Sequence, residues 1–86
     1  MREICIDYKQ LGNRIRTERK RQLLTQGKLA EMVEISPSFL GHIERGTRKA
    51  SVETIIGLSL RLGISMDELF TESYDMIYGE KNGILI

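Results

Sequence analysis

The chain has few of several residue types, and each shortage excludes a class of protein. Its single cysteine, Cys5, cannot form an internal disulfide. One histidine and one distant cysteine are too few for a metal site, so no metal or other cofactor is expected. No apolar run has the length of a membrane span, and the first residues do not resemble a signal peptide. We therefore expect a reducing, cytoplasmic location and no membrane partner.

The chain also lacks the residue combinations that enzymes use. Its 86 residues are enough for one small domain but not for two lobes with a cleft between them. The sequence shows no nucleophile with a matching base, no carboxylate pair and no glycine-rich phosphate loop after a strand. We expect no enzyme activity.

The charge is distributed unevenly along the chain, although the formal net charge is only +1. Residues 9–50 contain ten Lys or Arg and four Asp or Glu, whereas residues 51–86 contain two and six. A basic block of this kind is typical of a surface that binds phosphates. The alternative is an ordinary solvated surface.

Capping signals divide residues 7–70 into five short helices. The first two are expected at about residues 8–22 and 26–33, and Gly46 and Gly63 are expected to end the third and fourth. Pro37 suits the first position of the third helix. Each helix follows a side chain that can cap its N-terminus: Asp7, Thr25, Ser36, Ser51 and Ser65. The sequence predicts a compact all-α domain of five helices.

Apolar spacing predicts which faces of these helices are buried. In the first helix Leu11, Ile15 and Arg19 share one face, so Arg19 should need a buried acidic partner. The fourth helix is expected to lie mostly in the core, and the fifth to bury a further apolar set. These residues are Val52, Ile55, Ile56, Leu58 and Leu62 in the fourth helix, and Ile64, Met66, Leu69 and Phe70 around the fifth.

Residues 71–86 form an extension whose pattern differs from that of the helices. Two apolar triplets, residues 76–78 and 84–86, flank a segment with Asn82-Gly83, which is typical of a β-hairpin turn. An isolated hairpin is only marginally stable. The extension is therefore either a hairpin used in assembly or a flexible tail.

Residues 26–45 have the spacing of a helix-turn-helix. Ala30 is small where the two helices would come closest, and the positions that should seal the motif against the domain are apolar: Leu29, Val33, Ile35, Leu40 and Ile43. Phe39 lies at the margin and is expected to be half-buried. The outer face of the third helix would then carry Pro37, Ser38, Gly41, His42 and Arg45, a surface narrow enough for a groove about 12 Å wide.

The chain resembles the lambda-repressor/Cro-like (Xre) helix-turn-helix family over about residues 11–70. The resemblance rests on the stretches LGNRIRTERK, LTQGKLAEM, IERG and LGISMDELF. It implies a five-helix DNA-binding domain, usually dimeric on palindromic operators, with the third helix in the major groove. It also implies that Arg19 pairs with Glu44, the glutamate that ends the recognition helix.

The resemblance further implies which residues contact double-stranded DNA. Ser38 and His42 would face base edges, His42 as a donor to guanine N7 or O6 or to thymine O4, and Pro37 could offer only an apolar contact. Gln26 and Arg45 would hold phosphates. Further candidates for backbone contacts are Arg14, Arg16, Lys28, Ser36, Thr47, Arg48 and Lys49.

Several glycine positions depart from what helices or the family favour. Leu23 and Glu34 stand where the family commonly has glycine, so each is either left-handed, at a cost on the order of 1 kcal/mol, or in a rebuilt turn. Conversely, four glycines lie inside expected helices, each costing up to about 1 kcal/mol relative to alanine. These are Gly12, Gly27, Gly41 and Gly57. We expect a monomer of modest stability.

The leading hypothesis is a sequence-specific transcriptional regulator, a repressor that acts as a homodimer. The alternative is an antitoxin or a protein-interaction module that uses the same fold to bind another protein.

Overall fold

The computed structural model describes residues 6–70, which are all-α. The helices are α1 (Tyr8–Arg21), α2 (Gln26–Met32), α3 (Pro37–Arg45), α4 (Val52–Leu62) and a short α5 over residues 66–70. The five-helix prediction is confirmed. The possible hairpin or assembly element at residues 71–86 lies outside the described residues.

The helices begin at the capping side chains that the sequence indicates. Asp7 accepts hydrogen bonds from the backbone N–H groups of Lys9 and Gln10. Thr25, Ser36 and Ser51 each accept from the N–H three residues on. At α5 the capping box is reciprocal, since the Ser65 hydroxyl accepts from the Glu68 N–H and the Glu68 carboxylate accepts from the Ser65 N–H, both at 3.0 Å.

The core lies where α1, α2, α3, α4 and α5 converge. Leu11 and Ile15 of α1 are buried, as the apolar spacing predicts. They pack with Leu29, Ala30, Leu40, Ile43, Ile55, Leu58, Leu62 and Leu69. Val33, Ile35 and Phe39 are half-buried at the edge of this cluster.

The expectation that α4 lies mostly in the core is wrong for one face of the helix. Val52 is 69% exposed and Ile56 44% exposed, and Leu60 on the same face is 75% exposed. Met66 of α5, expected in the core, is also exposed. Because α4 has apolar residues around most of its circumference, periodicity could not identify its buried side. Only the face with Ile55, Leu58 and Leu62 packs inward.

The two turns without glycine adopt the left-handed conformation. Leu23 has φ 60° and Glu34 has φ 63°. The turns are therefore built as in a glycine-containing chain rather than rebuilt, and each non-glycine residue carries a strain on the order of 1 kcal/mol. Gly46 and Gly63 end α3 and α4 with φ 76° and 71°.

A polar network joins the end of α1 to the end of α4. The Gln22 amide donates to the Leu62 carbonyl at 2.6 Å and to the Glu18 carboxylate at 3.0 Å. The hydrogen bond from Arg21, and then that from Gln22, lower the pKa of Glu18 below its usual value.

Gly12 allows α1 and α3 to approach closely. A Cβ atom at this position would lie 2.2 Å from the Ile43 carbonyl oxygen and 2.6 Å from that of Glu44. Both are backbone atoms and cannot move aside without shifting α3. The contact therefore fixes α3 against α1, and with it the orientation of the outer face of α3.

Candidate nucleic-acid interface

A buried ion pair joins α1 to the end of α3. Arg19 Nε donates to Glu44 Oε2 at 2.7 Å, and Arg19 Nη2 donates to Glu44 Oε1 at 3.1 Å. The third donor, Arg19 Nη1, bonds the Leu24 carbonyl at 2.7 Å. The two side chains are only 8% and 1% exposed. The acidic partner that the apolar stripe required is therefore Glu44, as the resemblance implied.

Gln26 is attached to this pair and lies beside Arg45. The Gln26 amide nitrogen donates to Glu44 Oε1 at 3.0 Å, which fixes the side chain at the start of α2. Gly41 makes room for both residues: a Cβ there would lie 3.2 Å from Arg45 Nη1 and 3.5 Å from Gln26 Nε2. Gly41, expected on the outer face, is in fact buried beneath these two side chains. The two leading phosphate candidates are thus brought together.

The first turn of α3 presents short side chains to solvent. Ser36, Pro37 and Ser38 are all exposed. The Ser36 hydroxyl oxygen accepts from the Phe39 N–H at 3.0 Å, so its hydrogen remains available to an acceptor. Ser38 keeps both hydrogen-bonding roles, and Pro37 offers only apolar contact.

His42, one turn further along α3, is held by Thr47. His42 Nδ1 lies 2.9 Å from Thr47 Oγ1, and the Thr47 hydroxyl donates to the His42 carbonyl oxygen at 3.2 Å. The Thr47 backbone N–H also donates to this carbonyl. Both donors of Thr47 are therefore engaged within the protein. A phosphate contact from Thr47, which stays a prediction, would have to replace one of them.

The exposed cations of the motif differ in whether an interaction within the protein offsets their charge. The guanidinium of Arg48 lies 5.4 Å from the centre of the Phe39 ring, and Lys49 Nζ lies 5.3 Å from that of Tyr8. Both are cation–π distances that position the charge without neutralising it. Lys28 forms a 3.8 Å ion pair with Glu31 of its own helix, which partly neutralises its charge.

A cleft of about 700 Å³ between α1, α2 and α3 contains two polar residues that the sequence analysis missed, Lys9 and Asn13. With Arg16 they lie on the α1 side of the cleft, opposite Gln26 and Arg45. The remaining lining residues are Asp7, Gln10 and Glu44. The spacing of four and three residues between the α1 side chains places them on one face, a signal that could have been found. Arg14 is not part of this lining; its charge instead contributes to lowering the pKa of Glu18.

The span from α1 to α5 matches a described family. The family model HTH_3, described as Helix-turn-helix, matches residues 15–69. The chain belongs to the HTH_3 family. This confirms the lambda-repressor/Cro-like resemblance and accounts for the arrangement of α2 and α3.

Relatives of this HTH_3 chain include regulators of bacteria and phages. It is 47% identical over 58 residues to the uncharacterized HTH-type transcriptional regulator YazB of Bacillus subtilis (strain 168), covering 67% of this chain and 84% of that protein. Other relatives are longer. The chain spans 43% of the immunity repressor of Bacillus phage phi105 and 13% of the regulator RamB of Mycobacterium tuberculosis.

Solved structures show the same fold. The restriction-modification controller protein C.AhdI from Aeromonas hydrophila is 36% identical with a TM-score of 0.71, over 74% of this chain and 97% of that one. The P22 c2 repressor, solved in complex with a synthetic operator, is 33% identical with a TM-score of 0.67, over 70% of this chain and 91% of that one.

The helices of residues 6–70 are also too short or too polar to span a membrane.

Proposed function

We propose that the chain is a sequence-specific regulator of transcription that binds double-stranded DNA with α3 in the major groove. The observation that carries the proposal is the arrangement around Gly41. There Gln26 and Arg45 lie side by side, next to the face of α3 that carries Ser38 and His42. Phosphate-binding groups fixed beside short, exposed polar side chains are what docking a helix into a groove requires.

Glu44 of the buried pair would hold the Gln26 amide in position to bind a phosphate. One hydrogen of the Gln26 amide is used on Glu44, and its second hydrogen remains for an external acceptor. Arg45 is exposed and provides a charged donor next to it. Lys9, Asn13 and Arg16 across the cleft extend the same basic surface, so the DNA backbone would pass over the cleft between α1 and α3.

Sequence would be read by a small set of side chains. Ser38 can donate or accept and discriminates weakly, and Pro37 can contact a thymine methyl group. Among these side chains, His42 would discriminate most strongly between bases by hydrogen bonding. Ser36, Lys28, Arg48 and Lys49 flank it and would add backbone contacts that depend on salt.

We further propose that the protein is a repressor and acts as a homodimer on a palindromic operator. Repression is favoured by the relative named an immunity repressor, 37% identical over 62 residues. A dimer is favoured by the exposed face of α4, where Val52, Ile56 and Leu60 are spaced four residues apart. A dimer with a two-fold axis would match the two-fold symmetry of a palindromic operator.

The test is selection of binding sites from random duplex DNA, followed by fluorescence anisotropy on the selected duplex. We expect one inverted-repeat motif and an affinity that falls linearly with the logarithm of salt concentration. Arg45→Ala should weaken binding to all sequences by roughly tenfold and reduce the salt slope by about 1 per subunit. Lys20→Ala, an exposed cation at the end of α1, is the control and should change affinity little.

Equal, weak binding to every sequence, or no binding at low salt, would contradict the proposal. Either result would favour a protein-interaction module or antitoxin instead.

A further inference from the structure

His42 and Thr47 form a hydrogen-bonded unit whose hydrogen positions decide what the histidine can read. Thr47 Oγ1 lies 3.2 Å from the His42 carbonyl oxygen and 2.9 Å from His42 Nδ1. The hydroxyl has one hydrogen and can donate it to only one of these atoms.

Only one placement of that hydrogen makes both contacts hydrogen bonds. A carbonyl oxygen has no hydrogen to give, so the 3.2 Å contact is a hydrogen bond only when the Thr47 hydroxyl donates to it. If the hydroxyl instead donated to Nδ1, the carbonyl contact would be left without a hydrogen. When the hydroxyl donates to the carbonyl, both contacts are satisfied only if Nδ1 carries a hydrogen and donates it to Thr47 Oγ1.

Arg45 does not provide a competing partner for Nδ1 in this arrangement. Its Nη2 atom is 3.5 Å from Nδ1, beyond the usual range of an N–H···N or N–H···O bond. A guanidinium only donates, and a protonated Nδ1 cannot accept. Arg45 therefore remains available to a phosphate.

We propose that Thr47 holds neutral His42 in the tautomer with the hydrogen on Nδ1, so that Nε2 is an acceptor that reads an amino group of a base in the major groove. Among residues 6–70, no hydrogen bond engages Nε2. The bases that present an amino group in the major groove are adenine, through N6, and cytosine, through N4. Guanine and thymine present only acceptors there. This inference rests on the proposed function and reverses the donor role that the sequence suggested for His42.

Thr47 is on this view a positioning residue that sets specificity through the hydrogen of His42 Nδ1. Thr47→Val removes the hydroxyl, so the hydrogen on Nδ1 loses its acceptor. The hydrogen should then move to Nε2, and the preference should shift from adenine or cytosine to guanine or thymine. Thr47→Ser keeps the hydroxyl and should keep the original tautomer.

The first measurement is long-range ¹H–¹⁵N correlation of the imidazole in the free protein at about pH 8. His42 is the only histidine, so one set of ring signals is expected. Wild type and Thr47→Ser should show the hydrogen on Nδ1, and Thr47→Val should show it on Nε2. A wild-type ring with the hydrogen on Nε2 would overturn the proposal without DNA being involved.

The second measurement is site selection from random duplex DNA at the same pH, with the His42 position identified as the one whose preference is lost in His42→Ala. Wild type should prefer adenine or cytosine there by about three- to tenfold, and Thr47→Val should lose or invert the preference. If Thr47→Val weakens binding equally for all four bases at that position, Thr47 only contributes affinity and the proposal is wrong.

The outcomes separate this inference from the proposed function. A selected motif with guanine or thymine at that position, or a motif that His42→Ala does not change, overturns the tautomer proposal and leaves DNA recognition intact. If no motif is selected by wild type, both proposals fail.

Discussion

At the scale of single residues, Gly12 shows that the same substitution can have opposite effects at different glycines. Gly12→Ala would place a methyl group 2.2 Å from the Ile43 carbonyl oxygen, so α3 would have to move. We expect the free energy of unfolding to fall by about 3 kcal/mol, at the upper end of overpacking, measured by urea denaturation followed by circular dichroism. Site-selection affinity should fall as well, because α3 changes its orientation.

The control for this prediction is Gly27→Ala. The nearest atom to a Cβ at Gly27 is the Thr25 hydroxyl at 3.9 Å, so there is no clash and alanine should stabilise by up to about 1 kcal/mol. Equal effects of the two substitutions would show that helix propensity, rather than close approach, determines the cost at Gly12.

The sequence could not distinguish these glycines. Gly12 and Gly27 both lie in helices, so from the sequence both are expected to lower helix stability. The structural requirement for Gly12 comes from the Ile43 carbonyl oxygen, 31 residues away in the chain, which the sequence does not reveal. By contrast, the left-handed turns at Leu23 and Glu34 follow from local spacing, since the helices on either side fix where the chain must reverse. The contact between His42 Nδ1 and the hydroxyl of Thr47, five residues on, is likewise visible only in side-chain coordinates.

At the scale of elements, the buried pair of Arg19 and Glu44 fixes α3 to α1. Glu44→Ala leaves the Arg19 guanidinium buried without its acid, and we expect the free energy of unfolding to fall by roughly 3–5 kcal/mol. The double variant Arg19→Met with Glu44→Leu removes both charges and should recover much of this loss. Urea denaturation of the single and double variants measures both effects.

The double variant also separates stability from binding. Glu44 anchors Gln26, so the double variant should bind the selected duplex several-fold more weakly even where its stability is restored. A loss below about 1 kcal/mol in Glu44→Ala would contradict the assignment of a tightly coupled buried pair.

Elements were the level at which the sequence was most informative. Caps at Asp7, Thr25, Ser36 and Ser51 lie next to the first residues of their helices because capping is a local interaction. The position of Arg19 on an apolar face predicts that it has an acidic partner, but only the family resemblance identifies that partner as Glu44. The cleft residues Lys9 and Asn13 were missed because their partners belong to other helices.

At the scale of the whole molecule, the exposed face of α4 carries a pattern that is complementary to itself. A two-fold axis across the middle of α4 would bring Val52 of one copy to the partner's Leu60. It would also bring Glu53, near the start of the helix, towards the partner's Arg61, near its end. Apolar contacts flanked by opposite charges are typical of a symmetric interface. We infer that this face pairs two copies.

Leu60→Glu tests this interface, because it would place a carboxylate in the apolar contact without removing a core residue. The free energy cost of burying an unpaired charge should weaken the dimer at least tenfold in sedimentation equilibrium. The control is Leu23→Glu, which alters another highly exposed leucine, 91% exposed in the turn after α1, and should leave the dimer intact. If the wild-type protein sediments as a monomer, or Leu60→Glu sediments as wild type does, α4 is not the interface.

Loss of the dimer should also change DNA binding. A dimer that contacts two half-sites at once binds far more tightly than a monomer on one half-site, so Leu60→Glu should lose affinity for the inverted repeat while retaining weak binding to a half-site.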